Sequence, residues 1–320
     1  MSNVPTLDIR VMSMSYEADG VLSLDLRPLN GDPLPSFAAG AHIDLHLPNG
    51  LIRSYSLSND QRERHRYVIG VGLDVASRGG SRYVHAEMRP GQVLSISPPR
   101  NNFPLEEGAG RSVLFAGGIG VTPMLAMVRR LATLGRDWTL YYCVRQRRNA
   151  GFLAELAQLA ADKPDALVLN FDGEPGGKLL DIAAAVRNAG DAHFYCCGPT
   201  PMIKAFEAAT THLPEGRTHV EYFAGVEAPA TGGGYVVELA RSGKSIPVPE
   251  GKTILDVCLD AGVDVPYSCM EGVCGSCETK VLSGEPDHRD LILSPKERAS
   301  NKTMMICCSG AKSGRLVLDL

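Results

Sequence analysis

The stretch Cys269-Met-Glu-Gly-Val-Cys274-Gly-Ser-Cys277 constrains this chain more than any other, because so many thiols in one short loop leave few folds and fewer chemistries. The three cysteines stand at C-x4-C-x2-C, and Cys307 and Cys308 follow near the C-terminus. That is the plant-type [2Fe–2S] spacing. A short loop can turn three thiolates inward on a compact two-iron core, with Gly272 and Gly275 supplying the backbone freedom of the wrap, while a fourth arrives from a distant strand. Strand alternation sends Cys307 and Cys308 to opposite faces, and Cys307 is expected to face the cluster. Zinc sites favour two short cysteine pairs, and the second pair is missing here. An odd total of nine cysteines opposes a disulfide framework. Cys143 and Cys258 fit as buried core thiols.

A chain of 320 residues predicts two or three domains, each large enough for its own core. With 21% charged residues and a net charge of −4, no basic block points to nucleic acid. No apolar run approaches the ~20 residues that span a bilayer. The opening residues Met1–Thr6 have neither the charged start nor the apolar core of a secretory signal, so a reducing, cytoplasmic setting is expected.

Residues 1–109 read as an antiparallel β-barrel. Short alternating runs such as Val21-Leu-Ser-Leu-Asp-Leu and His42-Ile-Asp-Leu-His-Leu are bounded by Gly, Pro or Asn. Arg53-Ser-Tyr55-Ser56 then places a cation, a flat ring and a hydroxyl on one strand, the groups a flavin mononucleotide needs for its phosphate, its ring and its polar edge. Ser77-Arg78-Gly79-Gly80-Ser81 opens a short helix with Ser81 near its N-cap. Unpaired N–H groups at such a start form a second phosphate-competent piece.

Residues 110–225 change period. The apolar strand from Ser112, the turn Gly117-Gly118-Ile-Gly120-Val-Thr122-Pro123 and the helix beyond it open a nucleotide-binding α/β unit, although the G-x-G-x-x-G fingerprint is absent. Strand and helix then alternate through Phe152–Ala160, Ala166–Phe171 and Leu179–Asn188 to Cys196-Cys197-Gly198-Pro199 and a helix from Met202 to Ala209. A parallel sheet is predicted, with ligands at its carboxyl edge. Arg145 and Asp172, each after a strand, are candidates for the adenosine half and ribose of a pyridine nucleotide, or else surface residues.

Residues 226–234 form the Gly-, Ala- and Pro-rich linker. Residues 235–320 read as a small α+β domain: a hairpin, a helix capped by Thr253 and ending at Gly262, the cysteine loop, and closing strands.

In the order of these motifs the chain resembles the phthalate dioxygenase reductase family, within the ferredoxin–NADP reductase superfamily. The likeness covers nearly the whole chain. Arg53-Ser-Tyr55-Ser56 and Arg78-Gly-Gly80-Ser81 are similar to that family's flavin signatures. Gly117-Gly118-Ile-Gly120-Val-Thr122-Pro123 and Cys196-Cys-Gly198-Pro199 are similar to its nicotinamide signatures. Cys269, Cys274, Cys277 and Cys307 are similar to its plant-type ferredoxin domain, with a β-grasp fold. Glu221-Tyr-Phe223 resembles the segment that places an aromatic residue near the flavin. The resemblance implies FMN, NADH as co-substrate, and a relay from NADH through FMN and [2Fe–2S] to a separate Rieske-type terminal oxygenase, with the protein a monomer. Ser56 is then a candidate near the flavin N5, and Thr122 and Cys196 are candidates lining the nicotinamide site. No general acid or base is expected, and none of the eight histidines is assigned a role. The alternatives are a stand-alone diaphorase with another acceptor and a non-redox metal-binding module.

Overall fold

A computed structural model of the chain describes residues 6–75, 77–225 and 228–320. Two compact units are present, Thr6–Glu221 and Tyr222–Leu320.

In the first unit, strands β1 (Leu7–Ala18), β2 (Val21–Pro28), β3 (His42–His46), β4 (Ile52–Ser56), β5 (Tyr67–Gly72) and, after helix α1 (Gly80–Ala86), β6 (Val93–Ile96) form one antiparallel sheet. Its order is β4-β3-β6-β1-β2-β5. A bridge from Leu57 to Ile69 and the bond from Ser58 N–H to Val68 O (2.9 Å) join the two outer strands, which closes the sheet into a barrel. Alternate residues point inward, so Ile9, Val11, Leu24, Leu26, Ile43, Leu45 and Ile69 build the core and their neighbours face out.

The same unit continues through β7 (Arg111–Gly117), α2 (Val121–Thr133), β8 (Asp137–Val144), α3 (Leu153–Leu159), β9 (Leu167–Phe171), α4 (Ile182–Arg187), β10 (His193–Cys197), α5 (Thr200–Thr210) and β11 (Thr218–Glu221). These strands make a parallel sheet of order β11-β10-β7-β8-β9. Central β7 is buried from Ser112 to Gly117, as expected of a parallel strand covered on both faces. The strand order reverses between β7 and β10, and a crevice opens at such a point. The helix expected over Leu179–Asn188 starts later because Asp181 caps it, accepting the Ala184 N–H at 2.8 Å.

The second unit holds β12 (Tyr235–Leu239), β13 (Lys244–Val248), α6 (Ile254–Asp260), β14 (Glu278–Ser283), β15 (Pro286–Asp287), α7 (Pro295–Ser300), β16 (Thr303–Met305), β17 (Gly310–Ala311) and β18 (Arg315–Leu318). The main sheet runs β13-β12-β18-β14-β16, with β12 and β18 parallel. Thr253 and Asp256 form a capping box at α6, which buries Ile254, Leu255, Val257 and Cys258 against the core. This is a β-grasp arrangement.

The barrel and the parallel sheet belong to a single unit, and the second unit opens at Tyr222. Val226 and Glu227 lie outside the described residues. The rest of the expected linker is tied to the second unit: Ala230 N–H donates to Cys308 O and Gly251 N–H to Thr231 O, both at 2.8 Å. Gly, Ala and Pro signal irregular backbone, but irregular backbone can still satisfy its polar groups on a neighbour.

Candidate functional site

At the carboxyl edge of the parallel sheet, Gly117 and Gly118 follow β7 while Gly198 and Pro199 follow β10. The two turns pack so closely that a Cβ on Gly117 would lie 2.5 Å from Pro199 Cδ, and one on Gly120 would overlap the Cys197 carbonyl. Beside them lies a cavity of about 500 Å³ lined by residues including Gly117, Gly118, Cys143, Arg145, Asp172 and Pro199. Its position at the strand-order reversal suits a nucleotide. Arg145 and Asp172 meet there as an ion pair, Nη1 to Oδ2 3.1 Å, with Arg145 largely exposed and Asp172 half-buried. Of the neighbouring arginines, Arg147 stacks its guanidinium 4.9 Å from the centre of the Phe171 ring and Arg148 approaches Asp19 at 3.7 Å.

Thr122 and Cys196, the two residues expected to line the nicotinamide site, have the following surroundings. Thr122 is buried, its hydroxyl donates to Ile119 O at 3.0 Å, and its methyl group packs against Gly70 of β5. It joins the barrel to the parallel sheet, with Pro123 beside it in the first turn of α2. Cys196 lies on the face of β10 toward Cys143 and Glu207, and burial pushes its thiol well up. Cys197 takes the other face. It pairs with Glu221 in the β10–β11 register, so the two side chains share a side.

Glu221 also receives the Ser56 hydroxyl, Oγ to Oε2 3.5 Å. Burial pushes the Glu221 carboxyl up to about 8, with Ser56 pulling the other way. Ser56, Glu221 and Cys197 therefore form one polar group where barrel strand β4 meets the sheet. Sequence reasoning missed Glu221 and Cys197 as members of this group. The alternation of a short parallel strand was the available signal for Cys197, whereas Glu221 lies far from Ser56 in sequence.

On β4 the partners in register are Ile43 for Tyr55 and Leu45 for Arg53, so Arg53 and Tyr55 share one face and Ser54 and Ser56 the other. Burial pushes the Tyr55 hydroxyl up to about 12, which keeps it neutral. Arg53 reaches the start of α1: a Cβ on Gly80 would lie 2.8 Å from both its Cγ and its Nε. Among the described residues Arg53 bonds only the carbonyls of Ile52 and Arg78. Ser81 is not the cap of α1. Gly79 holds that position in a left-handed conformation, and Ser81 is the second helical residue, its hydroxyl tied to Asp74 N–H and Ser77. Ser77 takes the Gly79 and Arg82 N–H groups. The Gly80 and Ser81 N–H groups have no protein acceptor among the described residues. With Arg53 they make a donor set that fits a flavin phosphate.

In the C-terminal unit Cys269, Cys274, Cys277 and Cys307 are all buried, 8%, 4%, 3% and 3% exposed. Their thiols touch in pairs, Cys269 with Cys274 and with Cys307, and Cys277 with Cys307. Contact with Cys269 and then burial push the Cys274 thiol up, and Cys307 does the same to Cys277. The crowding and burial that push Cys269, Cys274 and Cys277 up are what a positively charged metal core relieves. Among the described residues no three His, Cys, Asp or Glu side chains gather tightly enough for one ion. Pairwise grouping suits a two-iron cluster, in which each iron takes two thiolates. Cys307 and Cys308 lie on a turn after β16 rather than on a strand, so alternation is not what separates them. Cys308 Sγ points to Met305 O at 3.7 Å and lies under Gly272, away from the four. Phe223 belongs to this unit, with its ring 40% exposed.

Comparison with known proteins agrees with both halves of this geometry. An oxidoreductase NAD-binding domain model matches residues 114–208 and a 2Fe–2S iron–sulfur cluster binding domain model matches residues 237–312. The chain is 55% identical to phenoxybenzoate dioxygenase subunit beta of Ectopseudomonas oleovorans, across 98% of its own length and 97% of that protein. It is 52% identical to tetrachlorobenzoquinone reductase of Sphingobium chlorophenolicum, across 99% of each. The solved structure of phthalate dioxygenase reductase, described as a modular structure for electron transfer from pyridine nucleotides to [2Fe–2S], is 39% identical across 98% of both chains with a TM-score of 0.75. The chain belongs to the phthalate dioxygenase reductase family.

As a member of that family it carries a flavin barrel, a nicotinamide sheet and a ferredoxin domain, and its chemistry is that of an NADH-dependent flavin and iron–sulfur oxidoreductase. No helix is long and apolar enough to cross a membrane among the described residues.

Proposed function

We infer that this phthalate dioxygenase reductase homologue is the reductase component of an oxygenase system, passing electrons from NADH through FMN and a [2Fe–2S] cluster to a separate terminal oxygenase of the Rieske type. The observation that carries this reading is the meeting of four buried thiols, Cys269, Cys274, Cys277 and Cys307, in a chain whose other unit opens a nucleotide cleft. When bound, FMN takes a hydride and the cluster takes single electrons, so together they adapt a two-electron donor to a one-electron acceptor.

The residues supply binding and orientation. Arg53 and the Gly80 and Ser81 N–H groups hold the FMN phosphate, with Arg78 beside them, and Tyr55 offers a neutral ring. Ser56 presents a hydroxyl to the flavin's polar edge, supported by Glu221, which keeps its proton at neutral pH. The glycines at 117, 118, 120 and 198, with Pro199, let the nicotinamide nucleotide approach the backbone. Asp172, held by Arg145, accepts from a ribose hydroxyl. The protein works as a monomer in the cytoplasm.

Stopped-flow mixing of Cys274→Ser with NADH tests the relay: flavin absorbance should bleach at the wild-type rate while reduction of the oxygenase stops. Delivery that persisted would remove the cluster from the path. The tetrachlorobenzoquinone reductase relative, at 52% identity, favours one further reading, a small quinone as acceptor. Under that reading a chlorinated benzoquinone is reduced with no oxygenase present.

A further inference from the structure

The stretch that joins the two units is irregular backbone, yet its described residues press on both segments that carry the four cysteines. At one end a Cβ on Gly225 would lie 2.8 Å from the carbonyl oxygen of Glu271. The N–H of that same Glu271 points to Cys269 Sγ at 3.3 Å. At the other end Ala230 N–H donates to Cys308 O at 2.8 Å, fixing the Cys308–Ser309 peptide one residue beyond Cys307. Thr231 O receives the Gly251 N–H at 2.8 Å and Gly234 N–H donates to Val248 O at 3.0 Å, so this end is anchored on the hairpin loop and sheet. Gly232, between these anchors, faces open space.

We propose that this strap is part of the cluster's housing, with Gly225 and Ala230 as positioning residues for the thiolates. Gly225 packs on the Glu271–Gly272 peptide and so fixes the backbone of Glu271, whose N–H, in the preceding peptide, is aimed at Cys269 Sγ. Ala230 sets the turn that presents Cys307. Hydrogen bonds to cluster sulfurs and the peptides that orient them tune affinity and potential, so the strap acts on the cluster without touching iron. The proposal rests on the cluster reading above.

The test uses the full-length, flavin-loaded protein. Gly225→Val pushes on the Glu271 carbonyl, Ala230→Pro deletes the N–H given to Cys308, and Gly232→Ala, in the same strap, is the control. The measurements are the EPR signal after dithionite reduction, the midpoint potential, and the rate of cluster loss to an iron chelator. Both site variants should lose the cluster on the order of 10-fold faster and shift the EPR signal and potential. Gly232→Ala should match wild type, and flavin content and bleaching by NADH should be unchanged throughout. If Gly225→Val yields no flavin-loaded protein, Gly225→Ala is read by the same measures. Wild-type EPR, potential and loss rate in both site variants would overturn the proposal, as would an equal effect of Gly232→Ala. Absence of a [2Fe–2S] signal from wild type would instead remove the cluster reading beneath it.

Discussion

Ser56 Oγ donates to Glu221 Oε2 across 3.5 Å, tying the edge strand of the barrel to the last strand of the parallel sheet. The pair matters because a carboxyl that burial pushes up to about 8 then stands beside the hydroxyl proposed for the flavin edge.

Glu221 should therefore make stability depend on pH in a definite direction. Its folded pKa, about 8, lies above the ordinary value of 4.5, so the folded state keeps a proton that the unfolded state releases. The contribution is full below about pH 4.5, drains as pH rises, and is gone above about pH 8. Thermal denaturation between pH 5 and 8 should show Glu221→Gln losing less stability than wild type across that window. Parallel curves would mean that the carboxyl is ionised in the folded protein.

Gly120 has no room for a side chain. Gly120→Ala drives a Cβ into the Cys197 carbonyl, and the two strand ends must separate. The expected cost is about 1–3 kcal/mol of stability with a raised KM for NADH, checked by urea denaturation and steady-state kinetics.

The two adjacent C-terminal cysteines should behave differently. Cys307→Ser should lose the visible absorbance of the cluster and most of the iron. Cys308→Ser, whose sulfur faces Met305 O, should retain both. Iron analysis with a visible spectrum distinguishes them.

Arg53→Ala removes a side-chain cation that reaches the start of α1. A charge-assisted bond is worth about 1.5–3 kcal/mol, so FMN affinity should fall about 10- to 100-fold. Recovery of flavin fluorescence on dilution measures it.

Local patterns in the sequence carried much of this architecture. Alternation marked the barrel strands, and the change to strand and helix marked the parallel sheet. The spacing of Cys269, Cys274 and Cys277 named a cluster because its loop is contiguous in the chain. Where partners are distant the pattern was silent: nothing local tells Ser56 that Glu221 will face it. At Thr122 the motif position says nothing of the tertiary packing that sets its methyl group against Gly70. Cys196 and Cys197 could be told apart only once β10 had a register with β11. In the connecting stretch composition reports irregularity alone, and irregular backbone that is hydrogen-bonded reads the same as backbone that is free.

The break between the units falls at the peptide bond after Glu221. A genetic splice that moved the ferredoxin domain onto another reductase at residue 234 would leave the strap behind with the donor. A splice after Glu221 would carry the strap along with the domain it is bonded to, and that junction is the one at which recombination could exchange electron-delivery modules without remaking the cluster's surroundings.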